Sequence, residues 1–128
     1  MTLLIASVLI AVAAPGLVDL LERNRLQTLS NQVMTSLMLT RSEALKRNQP
    51  AVMCKSANGT SCAAGGNWEQ GWIVYADEDA DGVKDAGEPV LSVNEALDSG
   101  DTLRTSVAAI ASRIIYRTDG TTTASGTF

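Results

Sequence analysis

The sequence contains no histidine, which removes the commonest general base and the commonest zinc ligand together. Aromatic residues fill only 4% of its 128 positions, so a folded core must rest on aliphatic side chains. Two cysteines are too few for a structural zinc site when no histidine can complete it, and the C-x-x-C redox spacing is absent. Neither Ser42-Glu43 nor Ser56 has a base at a convincing spacing. No nucleophile–base arrangement stands out, and the chain is not expected to be an enzyme or to require a cofactor.

Positive charge is also scarce as a continuous feature. The formal net charge is −4, and six of the fourteen acids lie between Asp77 and Glu88, opposed there only by Lys84. The remainder is close to neutral, so the low isoelectric point describes one loop and gives no support to a general nucleic-acid-binding face. Arg41, Lys46, Arg47, Arg113 and Arg117 could gather to grip DNA phosphates. Helix capping and ordinary solvation explain them more simply.

What is present begins with "MTLLIASVLIAVAAPGL". From Leu3 to Leu21 only Ser7, Pro15, Gly16 and Asp19 interrupt an apolar run, close to the roughly 20 residues that a spanning helix needs. Leu3, Leu4, Ile5, Val8, Leu9, Ile10, Val12, Pro15 and Leu17 are the candidates for membrane or fibre packing, with Pro15-Gly16 permitting a bend. A cleaved secretory signal is the rival, because Ala11-Val12-Ala13 resembles a peptidase site, although nothing basic precedes the run.

Helical periodicity continues past Pro15. Leu26, Leu29, Val33, Leu37 and Ala44 recur at helical spacing, Met34, Met38 and Leu45 flank the same side, and Arg25, Gln32, Ser36, Glu43 and Arg47 fall on other faces. Lys46 and Arg47 suit the last turn, and Pro50 stops the element. At about 1.5 Å per residue the two halves together approach ~70 Å. Three segments follow: 1–21 apolar, 22–49 amphipathic and 50–128 β-rich.

Beyond Pro50 the chain reads as short strands at 51–54, 72–76, 89–93, 110–117 and 121–128, with a turn at Asp119-Gly120 and a loop with a short strand or turn near Leu103. Trp68 and Trp72 suit the core between sheet and helix better than a stacking platform. Asn58-Gly59 favours a reversal that brings Cys54 to Cys62, where a bridge would contribute about 2–3 kcal/mol; two buried reduced thiols are the alternative. Asp77, Asp79, Asp81, Gly82 and Glu88 match D-x-[DN]-x-[DN]-G-x5-E without a mismatch. Oxygen ligands at alternate positions around a sharp turn suit calcium, although strands rather than helices flank the loop. A solvated acidic hairpin connector is the alternative.

The order of these features carries a resemblance. "RSEALKRNQP", "CKSANGTSC", "GNWEQGWIVYADEDADGVKDAGEPVL" and "IIYRTDGTTTASGTF", behind an apolar helix interrupted by proline, resemble the type IV pilin-like GspH/FimT family over almost the whole chain. The resemblance implies an α+β, pilin-like fold, with a long N-terminal helix packed on a small antiparallel sheet. It implies a minor pilin or pseudopilin of a type IV pilus or type II secretion pseudopilus. The partners would be other pilins or pseudopilins and the inner membrane, with the head in the periplasm before assembly. Some FimT-type relatives are linked to DNA uptake, but the basic residues implied by that role are poorly matched in "YRTDGTTTASGTF". The family's leader, cleavage-site glycine and glutamate-bearing opening are not found here, and relatives often run through a further strand and cysteine, so the resemblance implies truncation at both ends. A secreted calcium-binding domain and a DNA receptor are the alternative readings.

Overall fold

A computed structural model describes residues 17–98 and 100–128, with residues 2–16 only as helical backbone. Helix α1, Thr2–Arg47, runs 46 residues and is followed by four strands, β1 (Ala51–Lys55), β2 (Trp72–Ala76), β3 (Val90–Asn94) and β4 (Arg113–Tyr116). The chain divides into two compact units inside this helix, Met1–Thr35 and Ser36–Phe128. The helix ends where Asn48 adopts a left-handed φ of 52°, a conformation asparagine tolerates, just ahead of Pro50.

In the second unit the strands form one antiparallel sheet in the order β3-β2-β1-β4. The paired registers Ala51↔Ala76, Met53↔Val74 and Met53↔Ile114 assign those residues to one face. Trp72 shares it and meets the last turns of α1, since its indole Nε1 donates to the Ser36 hydroxyl at 2.9 Å. Val52, Cys54, Ile73 and Tyr75 line the opposite face with Cys62 and Ile115, beneath the loops. Every residue of β1 and β2 is therefore buried, as expected of central strands covered on both faces. Gly71 enters β2 at a φ of 103°, and a Cβ there would lie 2.6 Å from the Asn94 carbonyl oxygen, so glycine is required for β2 and β3 to meet.

The helix differs from the stripe expected of its apolar residues. Leu29 and Val33 are buried, but Leu26, Met34, Met38 and Leu45 are each at least half exposed. In the second unit the buried line is Ser36, Thr40, Glu43 and Ala44, three of them polar. The reason lies opposite: Trp72 and Asn94 both present donors to the Ser36 hydroxyl, and Thr40 satisfies its own hydroxyl on the Ser36 carbonyl at 2.6 Å. The segment 121–128 also departs from the strand reading. It contributes one isolated bridge, Tyr116↔Thr122, and then runs irregularly, held by Ser106–Thr127 hydrogen bonds and by Phe128 standing edge-on to Trp68 at 5.3 Å. The stretch around Leu103 forms no strand. Leu103 is buried, its N–H donates to Glu69 Oε2, and Arg104 pairs with Glu69 at 3.1 Å.

Candidate functional site

Among the described residues two features carry chemistry beyond packing: the exposed apolar surface of α1 and the loop between β2 and β3. On α1, Leu17, Val18, Leu20 and Leu21 are each more than half exposed, and Leu26 is 62% exposed. Isolated exposed leucines are ordinary on protein surfaces, but adjacent ones form an apolar patch of the kind that marks an interaction site. Leu3, Leu4, Ile5, Val8, Leu9, Ile10, Val12 and Pro15, with the bend expected at Pro15-Gly16, lie outside the described residues. Among the described residues no helix is long and apolar enough to cross a membrane.

The loop leaves β2 at Asp77, which points to the same face as Tyr75 because strand side chains alternate. One carboxylate oxygen each from Asp77, Asp79 and Asp81 converge to within 4.8 Å of one another. Asp77 is 1% exposed, and its Oδ2 accepts the Gly82 N–H at 2.9 Å, while Oδ1 is buried with no hydrogen-bond partner. Asp79 and Asp81 are exposed and accept N–H groups two residues ahead, from Asp81 and Val83. Glu88 is not part of the convergence. Its two oxygens accept the N–H groups of Glu78 and Asp85, at 2.8 and 2.9 Å, so it ties the two ends of the loop together. The loop is pinned to the outer face by Arg113, which donates to the Gly82 carbonyl, and by Lys84, whose ammonium stands 5.9 Å over the Tyr75 ring.

Burial pushes the Asp77 carboxyl above its ordinary range, against the Gly82 hydrogen bond, and the charges of Glu88, Asp79 and Asp81 add to the upward shift. The Tyr75 hydroxyl is raised by burial first and then by Asp77 and Glu88. Composition reveals the acidic cluster; only the fold shows that one aspartate oxygen is sealed under the loop.

Cys54 and Cys62 form a disulfide with Cα atoms 5.6 Å apart, closed over a turn in which Asn58 Oδ1 accepts the Thr60 and Ser61 N–H groups. Of the five basic residues that could grip DNA, Lys46 and Arg47 bind Glu43 at 2.8 Å each, and Arg113 binds the Gly82 carbonyl. Trp68 and Trp72 are buried, with Trp68 Nε1 donating to the Ile110 carbonyl, so neither offers a stacking surface.

The family model of the type II transport protein GspH matches residues 29–128, well over half of the chain. The chain belongs to the GspH family. No curated protein and no solved structure matches it. A helix followed by a small antiparallel sheet is the pilin-like architecture, and GspH membership makes the chain a structural subunit of a pseudopilus or pilus-type assembly. Such a subunit is membrane-associated and assembles with other pilin-like subunits. The matched region takes in the helix from Leu29, the disulfide and the acidic loop.

Proposed function

We propose that this GspH-family chain is a minor pilin or pseudopilin, held in the inner membrane by the apolar start of α1 before it is incorporated into a fibre. The observation that carries this reading is the run Leu17, Val18, Leu20 and Leu21, with every side chain more than half exposed. Exposed apolar surface is stabilised when it leaves water, at about 25 cal/mol per Å². Lipid before assembly and the corresponding helices of neighbouring subunits afterwards offer that burial to the same side chains in turn. The head, residues 50–128, then faces outward and turns over no substrate.

The test is the double substitution Leu17→Asp with Leu21→Asp, two positions one helical turn apart. An aspartate costs about 2.5–3.5 kcal/mol at a lipid-buried helix position, so membrane-sedimenting protein is expected to fall about tenfold or more. Cross-linking to co-expressed pilin-like subunits should fall with it, while the Cys54–Cys62 disulfide and the melting of the head stay as in the parent. Unchanged sedimentation and unchanged cross-linking would overturn the proposal.

A further inference from the structure

We propose that Asp77, Asp79 and Asp81, on the loop between β2 and β3, bind one divalent cation of the calcium class. The proposal concerns the head alone and stands apart from how α1 is used. Three carboxylate oxygens within 4.8 Å of one another fit on the coordination sphere of a single calcium ion, whose oxygen ligands lie at about 2.3–2.6 Å and so span at most ~5 Å. Without a cation, carboxylates at that spacing repel.

The acidic count alone would fit a solvated connector. The independent observation is Asp77 Oδ1. The Asp77 side chain is sealed beneath the loop, one oxygen is committed to the Gly82 N–H, and the other is buried without a hydrogen-bond partner. A buried carboxylate oxygen left unpaired is costly, and neither core packing nor backbone capping accounts for it here. A cation held between Asp77 and the exposed Asp79 and Asp81 removes that cost. The rest of the loop is arranged to hold the aspartates in place: Glu88 closes its two ends, and Arg113 fixes the Gly82 carbonyl. Asp79 and Asp81 face solvent, so water completes the coordination. A loosely defined, partly hydrated set of ligands suits calcium better than magnesium, which demands near-ideal octahedral geometry at about 2.0–2.1 Å.

The experiment uses the full chain in neutral detergent, stripped with a chelator and titrated with calcium chloride by calorimetry and thermal melting. One cation per chain is expected, with a Kd of about 10⁻⁴–10⁻³ M. At tenfold excess over Kd the melting temperature of the head should rise by about 5–10 °C. Asp79→Ala with Asp81→Ala, both exposed and therefore compatible with folding, removes the ligand oxygens that asparagine would retain and should abolish heat and shift together. Glu22→Gln with Glu95→Gln removes the same charge from exposed positions outside the loop and should leave both intact. The proposal is overturned by a parent that gives neither heat nor shift at about 10 mM calcium, a concentration well above that affinity range. It is equally overturned if the Asp79/Asp81 variant responds like the parent, if the Glu22/Glu95 variant loses the response as fully, or if magnesium reproduces it at the same concentration.

Discussion

On the helix face of the sheet, the Trp72 indole and the Asn94 amide both donate to the Ser36 hydroxyl, whereas on the opposite face the Tyr75 hydroxyl and one Asp77 oxygen are buried without a hydrogen-bond partner. Trp72 and Tyr75 belong to the same strand and are both fully buried, whereas Asn94 ends the edge strand β3 and is half-buried. The two faces differ in what the polar groups accomplish. A satisfied buried network fixes how helix and sheet fit together, because any other register would leave donors unpaired. An unsatisfied one opposes folding, and its persistence fits the cation-binding role proposed for the loop that covers it.

The comparison is tested most severely at Ser36. Ser36→Ala leaves the buried Trp72 donor facing a methyl group, at a cost of about 1–3 kcal/mol, while the half-buried Asn94 amide loses a weaker bond at 3.3 Å. Urea unfolding should therefore show a loss of about 2 kcal/mol, with the slope unchanged. A loss below about 0.5 kcal/mol, the range of ordinary surface substitutions, would mean that the network is not what joins helix to sheet.

A smaller effect, of opposite sign, is expected on the other face. Tyr75→Phe removes a buried hydroxyl that has no partner and keeps the ring beneath Lys84. Deleting an unpaired buried polar group is neutral or stabilising, so without calcium the variant should match or exceed the parent by up to about 1 kcal/mol. A loss as large as that at Ser36 would erase the distinction between the faces.

The same contrast explains what could be read from the residues in order. The α+β architecture follows from periodicity: a 3.6-residue repeat ending at Pro50, then alternating β-branched stretches punctuated by turn residues. Which side of the helix turns inward does not follow. Met34, Met38 and Leu45 are more apolar than Ser36, Thr40 and Glu43, yet they face outward, because the helix answers the donors on Trp72 and Asn94 and those come from strands far along the chain. Thr121 to Phe128 has a strand-like composition, but Gly126 packs against Val107 and Ile110, where a Cβ would meet side-chain carbons at 2.6 Å, and after the Thr123 N–H bonds the Ile115 carbonyl the segment leaves the sheet. In the acidic loop the motif names four carboxylates alike. Only the backbone path separates Glu88, each of whose oxygens accepts an N–H group, from Asp77, one of whose oxygens is buried without a hydrogen-bond partner.

The least effect is expected at the edge of the helix face, where Glu43 is buried at the end of the polar line but bonded to cations that reach solvent. Hydrogen bonds from Lys46 and then Arg47 outweigh burial and hold its carboxyl below the ordinary glutamate value of 4.5. A depressed folded-state value means that the ionised form stabilises the native state above the unfolded pKa, and that this stability is lost as pH falls through the folded one. Lys46 and Arg47 side chains are 72% and 41% exposed, so screening limits the contribution to about 0.5–1 kcal/mol. Glu43→Gln should therefore cost that amount at neutral pH and nothing once the parent's carboxyl is protonated. The two stability curves should converge on the acid side of 4.5. Curves that stay parallel through the acid limb would place the cost in altered packing, and would make Glu43 an extension of the Ser36–Trp72 network and not an ion pair at its rim.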